Sequence, residues 1–204
     1  ATIDSPKSES VRFIVYKAQK VENIVFQNVK TNVINGMKDF ELVFDERDLG
    51  WNGSTYTNTQ NSTREISFDV YPSDALYKDL AAVSNNSAVE VKVNNITKVI
   101  TVTVKTRISG TEDVIVTVYP LDSVNGADIG LYYEIKVRVL DGTLENPFEI
   151  ENQDDLLRIN SQLEANYVLA SNITITMPNW TPIGFIDGKV TQFNGTLSGK
   201  YDNK

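Results

Sequence analysis

The 204-residue chain contains no cysteine and no histidine. The first absence removes disulfides, cysteine nucleophiles and thiolate metal sites, and the second removes the Ser-His-Asp triad and the usual zinc sets. Catalysis by paired carboxylates, Lys or Tyr survives these exclusions, as does calcium binding through oxygen ligands. Positive charge is scarce as well: 19 Lys and Arg stand against 27 Asp and Glu, a formal charge of −8. An acidic chain does not attract phosphate backbones, so no nucleic-acid partner is expected. No apolar run exceeds Phe13-Ile14-Val15-Tyr16, far short of a bilayer span, so no membrane insertion is expected of this segment. Ala1 opens into a polar stretch without signal-peptide character, which suggests a mature product or a piece of a longer chain.

What the chain has in quantity is β-formers. Val, Ile and Thr make up 58 of the 204 residues, which favours strands over helices. From Val11 to Leu140 the period is two. Phe13 and Val15 open the series, then Phe40, Leu42 and Phe44 alternate with Glu41 and Val43. Ile66, Phe68 and Val70 follow, then Val89, Val91 and Val93, and Ile100, Val102 and Val104. Val114, Val116 and Val118, with Tyr133, Ile135, Val137 and Val139, complete it. One apolar and one solvated face per strand predicts antiparallel layers rather than a parallel α/β sheet. Turn residues fall between the runs, at Asn35-Gly36, Asn52-Gly53, Asn94-Asn95, Ser109-Gly110 and Asn125-Gly126. Seven or more such strands predict a β-sandwich.

Residues 49–62 lack periodicity and read as a loop insertion around Trp51 and Tyr56. It is either a recognition loop or an insertion whose Trp51 folds back onto the core, and the second reading is favoured. The pattern changes at Asp141-Gly142, where a domain boundary is placed, giving units 1–141 and 142–204. In the second unit Asn152 reads as an N-cap, with Asp154 and Asp155 at the positive end of a helix dipole. Leu156, Leu157, Ile159 and Leu163 form its apolar stripe, and strand-like runs follow at 167–170 and 173–177.

Two stretches carry resemblances. Between Arg64 and Leu140, "REISFDVYPSDALYKDLAAVSNNSAVEVKV", "KVITVTVKTRISGTEDVIVTVYP" and "YYEIKVRVL" resemble bacterial immunoglobulin-like domains of the group-2 type. The shared features are the Pro72–Ala75 turn, the Ser84–Val89 stretch and Gly110-Thr111; where that family carries a tryptophan, this chain has Leu80 and Ala81. The resemblance implies an immunoglobulin-like antiparallel β-sandwich starting near Val21, with residues 30–62 as a long insertion. Residues 1–19 would be an extra strand or the tail of a preceding module. From Gly142 to Gly199, "GTLENPFEIENQDDLLRINSQLEANYVLASNITI", "WTPIG" and "FNGTLSGK" resemble the opening segment of GLUG-type repeat proteins of bacterial surfaces. That resemblance implies the helix-capped start of a right-handed parallel β-helix, here truncated. Coils of a solenoid need stacked neighbours, so the segment is expected to pack on the sandwich, pair with a neighbouring molecule or stay partly mobile.

Candidate chemistry is thin. Asp45-Glu46-Arg47-Asp48 is the densest acidic cluster, but it lacks the spaced ladder that wraps calcium and reads as a solvated strand end. Trp51, Tyr56 and Trp180 are the candidate ligand-stacking residues; alternatively Pro182 and Gly184 shape a coil corner while Trp180 and Phe193 fill the cap interior. The seven Asn-x-Ser/Thr triplets, at Asn52, Asn61, Asn85, Asn95, Asn172, Asn179 and Asn194, reflect Asn-rich turns. A Lys–Asn isopeptide crosslink, known in some surface immunoglobulin-like domains, is compatible with a cysteine-free sandwich, though no pair is identified. The expectation is a non-enzymatic extracellular module, without cofactor or metal, on a bacterial surface (lipid- or wall-anchored) or secreted. It would act as a spacer or adhesion domain and as a cap for a downstream β-helix. Its partners would be neighbouring modules of the same chain, and a host glycan or protein. The alternative is a carbohydrate-binding module of a surface enzyme.

Overall fold

The computed structural model describes residues 19–34, 37–108, 113–122, 126–127 and 130–199. The expected strand around Phe13 and Val15 and the Asn35-Gly36 and Ser109-Gly110 turns lie outside them, as does Asn125. The first unit begins with β1 (Asn23–Gln27), β2 (Lys30–Ile34), β3 (Met37–Asp45) and the short helix α1 (Glu46–Leu49). It continues through β4 (Thr63–Tyr71), β5 (Leu80–Ser84), β6 (Val89–Asn94), β7 (Val99–Val104), β8 (Val114–Asp122), β9 (Gly126–Ala127) and β10 (Tyr133–Leu140). One sheet has the order β1-β4-β7-β6; the other runs β2-β3-β10-β8-β5, with β9 against β8. The chain is thus mainly β with several antiparallel ladders.

The alternation seen in the sequence is what joins these sheets. Ile66, Phe68 and Val70 from β4 and Ile100, Val102 and Val104 from β7 are buried in one hydrophobic cluster. Phe40, Leu42 and Phe44 of β3, the three valines of β8, and Ile135, Val137 and Val139 of β10 enter it from the other sheet. Val91 and Val93 on edge strand β6 are only half-buried. Phe26 of β1 meets Phe40 and Tyr133 edge-on, at 5.1 and 5.5 Å between ring centroids, closing one end of the core. Residues 30–62 are therefore no loose insertion, because β3 lies between β2 and β10 and supplies three core residues.

Two features depart from the period-two reading. β3 and β10 run parallel, from Phe40↔Ile135 to Asp45↔Leu140. Alternation reports which faces are covered and says nothing about strand direction, so this pair was invisible to it. Nor is the outer face of this pair solvated along its whole length, since its far end is covered. Val43 packs against a second hydrophobic cluster, formed by Leu140, Phe148, Ile150, Ile159, Leu163 and Tyr167. The C-terminal unit thus sits on the outer face of β3 and β10.

That unit comprises β11 (Phe148–Ile150), α2 (Gln153–Arg158) with a 3₁₀ turn at Ile159–Ser161, β12 (Tyr167–Leu169), β13 (Phe185–Ile186), β14 (Lys189–Val190) and β15 (Leu197–Gly199). Asn152 caps α2 as its sequence predicts, its Oδ1 accepting from the Asp154 and Asp155 N–H groups at 2.9 and 3.0 Å. β11, β12 and β15 form a parallel ladder in which Phe148, Tyr167 and Leu197 align. The run at 173–177 is not a strand: Thr176 donates through N and Oγ1 to Gln153 Oε1 instead of joining a ladder. The β13–β14 hairpin turns at Asp187-Gly188, a two-residue hairpin signal flanked by Phe185-Ile186 and Lys189-Val190.

Gly195 is where backbone meets backbone. Both the Asn194 and Gly195 N–H groups donate to Leu163 O at 3.0 Å, and a β-carbon on Gly195 would collide with the Ala165 carbonyl. Gly195→Ala is therefore expected to cost about 1–3 kcal/mol through forced displacement of Ala165, read by equilibrium urea unfolding. An unchanged midpoint would mean that this approach is not needed.

Candidate functional site

The most densely charged region lies where the two units meet. Asp45, at the end of β3, caps α1 by accepting the Arg47 N–H at 2.9 Å. The same carboxylate accepts from Arg47 Nε at 2.9 and 3.0 Å and pairs with Nη2. The Arg47 side chain is only 4% exposed and its guanidinium carbon lies 4.3 Å from the centre of the Phe148 ring. Burial works against its charge, but the hydrogen bond and charge of Asp45 outweigh burial and hold the pKa above the ordinary arginine value. Its Nη1 is buried without a hydrogen-bond partner, so part of the charge is met by the ring face of Phe148.

Two further arginines join the units. Arg138 on β10 donates to Glu41 Oε1 of β3 at 2.9 Å and to Glu149 Oε1 of β11 at 2.8 Å. Glu149 is itself buried. Burial opposes the Arg138 charge, and hydrogen bonds and charge from Glu149 and Glu41 more than restore it, so its pKa too is raised. Arg158, in the last turn of α2, reaches Asp48 Oδ1 of α1 at 2.7 Å. A groove of about 380 Å³ opens beside these pairs, lined among others by Lys30, Arg64, Glu41, Asp48 and Glu151. The Asp45–Asp48 cluster is therefore only in part a solvated strand end. Asp45 pairs with Arg47 of the same turn and Glu46 with Arg107 of the same unit, while Asp48, its side chain 45% exposed, is met across the junction by Arg158.

Trp51 and Tyr56 are brought together, bridged as a small antiparallel turn with ring centroids 5.3 Å apart. Tyr56 is buried in the sandwich core and Trp51 packs half-buried against it. The Arg107 guanidinium lies 4.8 Å from the Trp51 ring centre and pairs with Glu46. Burial, then the charge of Glu46, pushes the Tyr56 hydroxyl pKa well above the ordinary range. Trp180 belongs to the other unit, in irregular chain before β13, half-buried and outside both hydrophobic clusters, so it does not fill the cap interior. Phe193 does pack against the second cluster, 6.2 Å from Tyr167 between ring centres. Gly184 takes φ +83° at the base of the β13–β14 hairpin, where Thr191 N donates to its carbonyl.

Asparagines act as turn ties. Asn95 accepts from Leu80 N and donates to Leu80 O, and Asn85 does the same between Ile115 N and Asp113 O. No lysine among the described residues is buried, so none occupies the interior setting an isopeptide crosslink would require. Among the described residues no three carboxylates are arranged to hold a metal ion, and no helix is long and apolar enough to cross a membrane. Sequence reasoning missed Arg47, Arg138, Arg158 and Glu149 as a set. Comparison with known protein families, with curated proteins and with solved structures finds no match.

Removing Asp45 leaves a buried guanidinium without its counter-ion, whereas replacing Arg47 by an apolar side chain leaves a carboxylate that is 20% exposed. Asp45→Ala is expected to cost about 3–5 kcal/mol and Arg47→Met clearly less. Equal losses in chemical denaturation would show that the buried charge is not the dominant cost. Tyr56 gives a second expectation. Its folded pKa is raised, so its contribution to stability is complete below about pH 10 and falls as pH rises further, where the unfolded chain releases a proton that the folded one keeps. Tyr56→Phe should flatten the alkaline decline in melting temperature; a decline of unchanged steepness would refute the assignment.

Proposed function

We propose that the chain is a non-catalytic module of a bacterial cell-surface or secreted protein, a spacer or adhesion domain whose C-terminal unit caps a downstream parallel β-helix. The strand order supports the first half of this reading. β1-β4-β7-β6 follows the A-B-E-D order of an immunoglobulin-type sandwich, and β10-β8-β5 follows G-F-C, with β3 added beside G. The second half is supported by the parallel ladder, in which aligned Phe148 and Tyr167 are buried while Leu197 is 43% exposed. A solenoid rung in that position gains cover from the next coil.

The observation that carries the spacer reading is the path of the chain. β1 begins beside the end of β4, with Asn23 opposite Tyr71 and bonded to Tyr133 at the start of β10. β10 ends at Leu140 beside Asp45, at the other end of the sandwich, where the C-terminal unit is attached. A module entered at one end and left at the other transmits load in series. Tension entering at β1 and leaving at the end of β10 draws β10 along its own length past β3, loading the evenly spaced bonds of their parallel ladder together. Partners on this reading are neighbouring modules of the same chain.

The carbohydrate-binding alternative needs an open aromatic face, and on Trp51 one is occupied by Arg107. Single-molecule stretching of the chain between its two ends is expected to give a discrete rupture as the β3–β10 ladder shears. Smooth extension without a rupture peak would sink the spacer reading. Glycan binding lost on Trp51→Ala or Trp180→Ala at unchanged melting temperature would put the alternative in its place.

A further inference from the structure

The sequence holds four Asn-Gly pairs, of which Asn52-Gly53 and Asn194-Gly195 lie wholly within the described residues. We propose that the fold makes Asn52 a site of spontaneous covalent modification, by succinimide formation and deamidation, while it protects Asn194. In this reaction the backbone nitrogen of the glycine attacks the asparagine Cγ. An N–Cγ bond forms, the amide proton passes to a solvent base, and the Cγ–Nδ2 bond breaks as the leaving nitrogen takes a proton from solvent and departs as ammonia. Water then opens the five-membered imide at one of its two carbonyls, leaving aspartate or isoaspartate. No oxidant or reductant is involved.

Three requirements follow from that chemistry: a nitrogen free to lose its proton, room around it, and a side-chain carbonyl able to accept negative charge. At Asn52 all three are present. Among the described residues Gly53 N–H donates no hydrogen bond, and a β-carbon placed on Gly53 would meet nothing within 4 Å. Asn52 Oδ1 accepts the Ser54 and Thr55 N–H groups at 3.0 and 2.8 Å. These donors point at the oxygen on which charge develops as Cγ becomes tetrahedral, the geometry that stabilises an oxyanion.

Asn194 is just as accessible by sequence and is exposed in the fold, yet its glycine is held. The Gly195 N–H is donated to Leu163 O at 3.0 Å, which opposes loss of its proton. The Gly195 backbone is pressed against Ala165, and Asn194 Nδ2 is tied to Glu164 Oε1 at 2.7 Å, where Asn52 Nδ2 makes only a 3.4 Å contact with Thr55 Oγ1. Attack would require breaking this contact between the turn before β15 and the segment before β12. Reaction at Asn52 adds a negative charge next to Trp51 and, as isoaspartate, a methylene in the main chain of the Trp51–Tyr56 bridge.

The test is site-resolved peptide mapping of the full chain after incubation in mildly alkaline buffer, beside a sample held unfolded in urea. In the folded chain Asn52 should gain about one dalton, at a rate about tenfold or more above that of Asn194. In urea the two rates should converge, since both sites then reduce to Asn-Gly in an open chain. Asn52 remaining unmodified, Asn194 reacting as fast in the folded chain, or the gap persisting in urea would each overturn the proposal.

Discussion

A guanidinium taken out of water is the constraint around which the junction is organised. Desolvating Arg47 is affordable only because Asp45 meets it through two nitrogens and Phe148 offers its ring face. These partners come from different places: Asp45 ends a strand of the sandwich, and Phe148 begins the first strand of the C-terminal unit. The ion pair and the ring contact can be satisfied together only when the two units are docked. Arg138, gripping Glu41 on one side and Glu149 on the other, repeats the arrangement on the neighbouring strand. Such pairs contribute less to net stability than to placement, because a misdocked unit would leave charge buried and alone.

Docking on the outer face of β3 and β10 explains why those strands are unusual for an antiparallel framework. Each has two covered faces near its end. Phe44 and Val139 point into the sandwich while Val43 and Leu140 serve the second core. The junction therefore joins two hydrophobic cores through shared strands rather than through a linker, and the short link from Leu140 to Phe148 is held by Asn146 O, which accepts from both Asp141 N and Gly142 N. Gly142 at φ +77° permits this turn, and its missing side chain leaves room for Phe148 and Ala165.

Much of the architecture could be read before any coordinates. Inward positions of β3, β4, β7, β8 and β10 follow from alternation, and the start of α2 follows from Asn152 and the two aspartates after it. These are local signals: a strand face repeats every two residues and a cap acts over three. The same locality accounts for the failures. The segment at 173–177 has strand-like composition but finds Gln153 rather than a ladder, and the arginines that meet Glu46 and Asp48 lie 61 and 110 positions away along the chain.

Residue order alone determined that this would be a cysteine-free β protein with buried alternating faces, since burial preference and turn chemistry are properties of short stretches. Only the folded chain decided which polar faces stay in water. Arg138 meets Glu41 across 97 positions and Arg158 meets Asp48 across 110, separations at which no local rule pairs one side chain with another. A carboxylate's role as solvated charge or buried counter-ion is set by what packs over it, and packing exists only in three dimensions.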